Sequence, residues 1–238
     1  MKLIYKRVLL KISGEIFNEG HKSIFKKNII QSLVQDIYFL IKIGVEISIV
    51  VGGGNLFRGA DLSKLGVHNI TSDYIGILST IINGLFLKDI FQKFNIPVCL
   101  VSSLYVDSVC NKYNVEEAKH LLSKSVVVIF CGGIGVPCFT TDSAACLRAI
   151  ETESEIILKG TKVNGVYSQD PKNCKNVTLY SKLNYSDVLN NEYNVMDLTA
   201  FVLARNYKLP ICIFNLNNHH ALIKILSGEK EGTIINGD

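Results

Sequence analysis

The sequence predicts an α/β fold, a three-layer sandwich with a central, mainly parallel sheet, and three observations carry that prediction. Short apolar runs, the length of buried strands, alternate along the chain with longer segments of helical period. With 238 residues, 48% of them hydrophobic and 19% charged, the chain can bury a full core as one domain over residues 1–238. Glycines gather with cations, threonines and aspartates where four of the apolar runs end. Open parallel sheets place their ligands beyond the carboxyl ends of the strands.

The first strand is Arg7–Ile12, and Lys11 interrupts its apolar run. A lysine there either meets an anion or snorkels to solvent at the strand end; the Ser13-Gly14 that follows turns the balance toward a phosphate. Ile30, Leu33, Val34, Ile37 and Ile41 make a helical stripe, and residues 45–51 form the next strand. That strand ends on Gly52, Gly53 and Gly54, with Arg58 four residues on. Three successive glycines make a tight turn or leave bare amides for an anion. The dinucleotide pattern fails because Phe57 stands where its last glycine belongs, and the triphosphatase pattern meets Ala60 and Asp61 in place of lysine and a hydroxyl. A phosphate loop of another design remains.

A long helix is expected over residues 73–94, opening on Asp73, which is a good capping type and therefore either a cap or a ligand. Residues 97–101, 126–131, 155–158 and 211–214 continue the strand series, with helices around 115–122, 143–150 and 198–206. Two of these strand ends are again unusual: GGIGVPCFTTDS follows Cys131 and KGTKVNGVYSQDP follows Leu158. Asp142, Asp170 and Asp197 lie at loop–helix borders, where capping competes with a functional role.

Composition narrows the function. A net charge of +4 with no long basic run is too mild to make nucleic acid the main partner and suits an anionic small substrate. The seven cysteines show no C-x-x-C spacing and read as buried hydrophobes in a reducing, cytoplasmic compartment. Lys2, Lys6, Arg7 and Lys11 break any leader-like opening, Asp36 and Lys42 break later apolar stretches, and no membrane span is expected. His21, His68, His120, His219 and His220 show no H-E-x-x-H spacing, the last two reading as a solvated loop, and no G-x-S-x-G elbow occurs. Phosphoryl transfer remains as the chemistry that cations, glycine amides and magnesium equip. If the acceptor is itself a phosphate, ionised near neutral pH, no side-chain base is required.

Six stretches together resemble the bacterial-type uridylate kinases of the amino-acid-kinase superfamily: KRVLLKISGE, VVGGGNLFRGA, FTTDSAACLRAIE, LKGTKVNGVYSQDP, VMDLTAF and GEKEGTII. They occur in the family's order over nearly the whole chain. The resemblance implies transfer of the γ-phosphoryl of ATP to UMP with Mg2+, in a homohexamer. It implies that Lys11, Ser13 and Gly14 hold ATP phosphates, and that Gly54 and Arg58 lie between the two phosphates. Thr161, Tyr167 and Asp170 would belong to the ATP nucleoside pocket. UMP would meet Gly53, Asp73 and the loop of Ile134, Gly135, Val136, Pro137, Cys138, Phe139, Thr140 and Thr141. Asp142 and Asp197 would orient lysines or magnesium. A carboxylate kinase of the same superfamily and a non-catalytic nucleotide-binding assembly stand as alternatives.

The chain also departs from the family pattern. Ile134, Val136 and Cys138 replace polar or aromatic residues of the acceptor loop, so recognition of the base shifts toward backbone groups. The stretch EIFNEGHKSIFKKN lacks the glycine-phenylalanine-glycine pattern found where some relatives respond to GTP.

Overall fold

A computed structural model describes residues 2–16, 27–171, 173–174, 176–191, 193 and 195–237, without the side chains of Lys27 and Ala60. His21 and the part of the GTP-response stretch at 17–26 lie outside the described residues.

Among the described residues, nine strands join one sheet: β1 (Arg7–Ile12), β2 (Glu46–Val51), β3 (Val98–Ser102), β4 (Asn111–Lys112), β5 (Val127–Cys131), β6 (Ile156–Thr161), β7 (Lys182–Leu183), β8 (Ile211–Asn215) and β9 (Thr233–Ile235). Their order is β4-β3-β5-β2-β1-β6-β8-β9-β7, and every neighbouring pair is parallel except β8 and β9. The helices are α1 (Lys27–Lys42), α2 (Gly59–Lys64), α3 (Asn69–Lys93), α4 (Val115–Ser123), α5 (Thr141–Glu151), α6 (Tyr185–Asn190), α7 (Leu198–Asn206) and α8 (Ala221–Leu226), and a 3-10 turn, Gly14–Ile16, follows β1.

Strand alternation sorts the core into two halves. Val8, Leu10 and Ile12 of β1, with Ile47, Ile49 and Val51 of β2, face α1, α3 and α8. Leu9, Val50 and Ile157 face the other way, onto α4, α5, α6 and α7. The same pleat puts Lys11 and Lys159 on this second face, two residues beyond Leu9 and Ile157. Ala144, Ala145 and Ala149 of α5 and Ala200 and Ala204 of α7 are fully buried there. Such small side chains let both helices come close to the sheet.

The fold class agrees with the expectation. The short β4, β7 and β9, and α2, α6 and α8, were not expected, because two- to six-residue elements carry too little periodicity to register. Three expectations are corrected. First, α3 begins at Asn69 behind an N-cap His68, so Asp73 lies inside the helix and does not cap it. Second, the apolar stretches are not all broken by charge: α3 is uncharged from Tyr74 to Leu87, and it meets the length and composition of a membrane span, as the core helix of a soluble protein also can. Its Ile81, Leu87 and Phe91 are buried in the core, while Ile70, Tyr74, Leu78, Ile82 and Leu85 form an exposed apolar stripe. Third, His220 is not simply solvated: its Nδ1 lies 2.7 Å from Oδ1 of Asp36, a buried carboxylate of α1. Among the cysteines Cys131, Cys146 and Cys212 are buried as expected, but Cys138 is exposed.

Candidate active site

The sheet register creates the central feature. Lys11 of β1 and Lys159 of β6 are Cα partners on adjacent parallel strands, so their side chains leave the same face side by side. Both are nearly buried, at 6% and 7% exposure, where two unpaired ammonium groups would not be tolerated. The second residue of α5, Asp142, sits between them. Its Oδ1 lies 2.5 Å from Nζ of Lys11 and its Oδ2 accepts a hydrogen bond of 2.5 Å from Nζ of Lys159. The Lys11 contact is a close ion pair, and Oδ1 has no other partner among the described residues. Burial works to raise the Asp142 carboxyl, but the Lys11 and Lys159 charges outweigh it and hold the group below the usual carboxylate range. Burial and then the Lys11 charge press Lys159 down to about 8, against the pull of Asp142. Two cations share one anion, and the surplus positive charge suits an incoming phosphoryl group.

The α5 N-terminus that delivers Asp142 is itself clasped. Thr140 caps it, accepting from the Asp142 N–H at 3.0 Å and donating to Oδ2 of Asp197. Ser143 Oγ adds a bond of 3.1 Å to Oδ1 of Asp197. Asp197 also caps α7 by accepting from the Ala200 N–H at 2.7 Å. Capping and site-building are thus one role for Asp197, and capping is not the role of Asp142.

The glycine triplet faces the loop after β1, and its members Gly53 and Gly54 differ. A Cβ on Gly14 would come within 2.6 Å of Asn55 Oδ1 and 2.7 Å of the Gly52 carbonyl. One on Gly53 would stand 2.7 Å from the Gly76 carbonyl of α3. Close backbone approach therefore explains both. On Gly54 a Cβ would meet only the Glu15 side chain, no nearer than an ordinary 3.5 Å, so internal packing does not demand glycine there. Asn83 of α3 pins the loop, donating at 2.7 Å to the Gly52 carbonyl and at 2.6 Å to Asn55 Oδ1. Arg58 is half exposed and paired with Glu15 at 2.8 Å. The Ser13 carbonyl accepts from Ile16 N–H at 3.0 Å, closing the turn that carries Gly14.

Between this loop and α3 opens a cleft of about 230 Å³, bordered by Gly53, Gly54, Asp73, Phe139, Thr140 and Thr141 among the expected residues, and by Gly133, which was not expected. Oδ2 of Asp73 accepts from the Cys138 N–H at 2.8 Å, tying α3 to the acceptor loop. Ile134, Gly135, Val136, Pro137 and Cys138 belong to that loop without lining the cleft. The remaining expected residues follow β6. Thr161 Oγ1 faces the carbonyls of Val163 at 2.8 Å and Phe214 at 3.0 Å. Tyr167 bridges to Leu179, and Asp170 Oδ2 accepts from Asn173 Nδ2 at 3.1 Å.

Lys159, Glu15 and Asn83 were missed as site residues. For Lys159 the signal was present: it stands in EIILKG as Lys11 stands in RVLLKISG, a lone cation ending an apolar strand.

Comparison with known proteins agrees with this geometry. Residues 6–215 match the Amino acid kinase family. The uridylate kinase of Buchnera aphidicola subsp. Baizongia pistaciae is 52% identical over 236 residues, covering 98% of this chain and 97% of that one. The crystal structure of UMP kinase from Bacillus anthracis superposes with a TM-score of 0.94 at 39% identity, covering 98% of this chain and 97% of that one. That of UMP kinase from Ureaplasma parvum gives 0.92 at 34%, covering 98% and 99%. With a lysine–aspartate–lysine cluster at the carboxyl ends of a parallel sheet and likeness over almost its full length, the chain belongs to the amino acid kinase family, among its uridylate kinases.

Proposed function

We propose that this chain phosphorylates UMP to UDP with ATP, and that the Lys11–Asp142–Lys159 cluster is the observation that carries the reading. A phosphate oxygen of UMP attacks the γ-phosphorus, the bond to the β–γ bridging oxygen breaks, and ADP leaves with that oxygen. The attacking oxygen is already ionised, so no base is needed. Lys11 and Lys159 neutralise charge on the migrating group, and Asp142 keeps the two ammonium groups in place until it arrives. Ser13, Gly14, Gly54 and Arg58 take the phosphates, with Thr161, Tyr167 and Asp170 toward the ATP nucleoside. Gly53, Asp73, Gly133 and the loop from Ile134 to Thr141 take UMP.

Among the described residues no three His, Cys, Asp or Glu side chains converge as a metal cage. Asp142 and Asp197 are already bonded. A magnesium ion would enter on the ATP phosphates as part of the substrate, where it would neutralise phosphate charge. The acyl-phosphate and non-catalytic alternatives are not favoured by relatives matched end to end.

The continuous sheet supports one domain over residues 1–238, and the likeness to bacterial uridylate kinases supports work in the cytoplasm. The exposed stripe on α3 supports assembly through a second copy of the chain, toward the homohexamer that the resemblance implies.

The reading is tested at Asp73, whose position inside α3 removes capping as a confounding role. Asp73→Asn keeps an acceptor for the Cys138 N–H but loses the charge offered to ribose hydroxyls. The kcat/KM for UMP should fall more than that for dUMP, narrowing their ratio. A ratio equal to wild type would remove Asp73 from the acceptor site.

A further inference from the structure

With apolar side chains at Ile134 and Val136, the acceptor loop has to be shaped from outside itself. Gly132, Gly133 and Gly135 all adopt left-handed backbone, at φ of 77°, 56° and 92°, and the Gly135 N–H donates to the Gly132 carbonyl at 2.9 Å. Beneath this turn lies Ser103, just after β3. Its Oγ donates to the Gly133 carbonyl at 2.7 Å, and Nη2 of Arg148 on α5 donates to the same Oγ at 3.0 Å.

Proton counting fixes the direction of this chain. A guanidinium only donates and is never deprotonated, so it occupies a lone pair of the hydroxyl and leaves the single serine proton for Gly133. Arg148 is in turn immobilised: it is 5% exposed, lies 3.7 Å above the Tyr113 ring, and pairs with Glu151, which also accepts from the Tyr113 hydroxyl at 2.6 Å. Because a peptide is planar and trans, holding the Gly133 carbonyl toward Ser103 turns the Ile134 N–H to the opposite side. Among the described residues that N–H meets no acceptor.

We propose that Ser103, its hydroxyl aimed by Arg148, is a positioning residue that fixes the Gly133–Ile134 peptide and thereby sets the discrimination between uracil and cytosine. Backbone N–H groups in a fixed direction favour a base that presents a carbonyl over one that presents an amine. This rests on the reading that UMP occupies the cleft bordered by Gly133.

The test is Ser103→Ala, which removes a half-buried hydroxyl and adds no bulk. The KM for UMP should rise roughly 2- to 10-fold, as the loss of one neutral hydrogen bond implies. The kcat/KM preference for UMP over CMP should fall by a similar factor, while kcat at saturating UMP and the KM for ATP change far less. A folded variant with wild-type KM for UMP and wild-type preference overturns the proposal, as does an equal rise in both substrates' KM, the mark of a general packing role. If Ser103→Ala does not fold, Ser103→Cys, with its weak donor, should show the same split in milder form, and wild-type kinetics there overturns it too. Failure of the underlying reading shows separately. At Asp73, which borders the cleft, Asp73→Asn should lower kcat/KM for UMP more than for dUMP; an unchanged ratio removes UMP from this cleft and the proposal with it, whereas a narrowed ratio with unaltered Ser103→Ala kinetics overturns the proposal alone.

Discussion

Replacing Lys159 with methionine should separate catalysis from stability. Held at about 8 against an ordinary 10.5, Lys159 carries its charge at pH 7 at a cost of about 3 kcal/mol to the free protein. Methionine relieves that cost and keeps most of the volume, but it strips Asp142 Oδ2 of its donor, a loss of roughly 1–3 kcal/mol. The two effects nearly cancel, so Lys159→Met should melt within a few degrees of wild type. Asp142→Asn does the opposite: it leaves two buried ammonium groups without their anion, a loss of roughly 3–5 kcal/mol. At about 2–4 °C per kcal/mol for a chain of this size, its Tm should fall by about 6–20 °C. Activity follows another order: on the proposed mechanism Lys159→Met removes a donor to the migrating phosphoryl group and should lose on the order of 10²-fold or more in kcat.

The pH dependence gives this argument a second handle. A lysine with a depressed pKa sheds its proton in the folded chain near pH 8, while the unfolded chain keeps it to about 10.5. Across that window the unfolded state binds more protons, so the contribution of Lys159 to wild-type stability rises with pH, and Lys159→Met lacks the rise. The same loss of charge should put an alkaline limb near pH 8 on kcat/KM for the wild type. Melts of the three proteins from pH 7 to 10, with ADP release measured alongside, decide the matter. The reasoning is refuted if Lys159→Met loses as much stability as Asp142→Asn, or if the gap between wild type and Lys159→Met does not change over that range.

Lys11→Ala should cut kcat far more than it raises the KM for UMP, since its ammonium pairs with Asp142 and does not line the cleft proposed for the acceptor; steady-state kinetics with unchanged turnover in a folded variant would remove it from the mechanism. If the chain assembles through the exposed stripe of α3, as proposed, Leu78→Glu with Ile82→Glu should sediment as smaller species than wild type while its melt stays cooperative; a sedimentation profile equal to wild type would remove that stripe from any subunit contact.

The fold was legible because its central strands are buried on both faces and therefore read as nearly continuous apolar runs, and α1 announced itself by a stripe ending at Ile41. What escaped was structure made by pairing at the sheet edge. β9 is three residues long and exists by lying antiparallel to β8, a relation that no local pattern records. The start of α3 was misplaced for a similar reason. Asp73 is a good capping type, but the helix extends back to Asn69, and the carboxylate is used across the cleft, 65 residues away in sequence, by the Cys138 N–H.

The candidate site divides in the same way, by how far each cause lies from its residue. Lys11 was recognisable alone, since a buried strand tolerates a lysine only for a reason. Lys159 had an identical local signature and became significant only when the register set it beside Lys11, where one aspartate has to serve both. The glycine triplet, taken as one anion-binding signal, turns out to have two causes: Gly53 is needed so that the loop can touch α3, and only Gly54 is left without an internal reason to lack a side chain. Sequence reasoning merges these because bare backbone looks the same whether it approaches a helix or a phosphate. A discriminating substitution follows from that distinction. Alanine at Gly53 would collide with the Gly76 carbonyl at 2.7 Å and strain the fold with or without substrate, whereas alanine at Gly54 would meet only the Glu15 side chain, no nearer than 3.5 Å, so whatever harm it does has to come from the ligand's side of the loop.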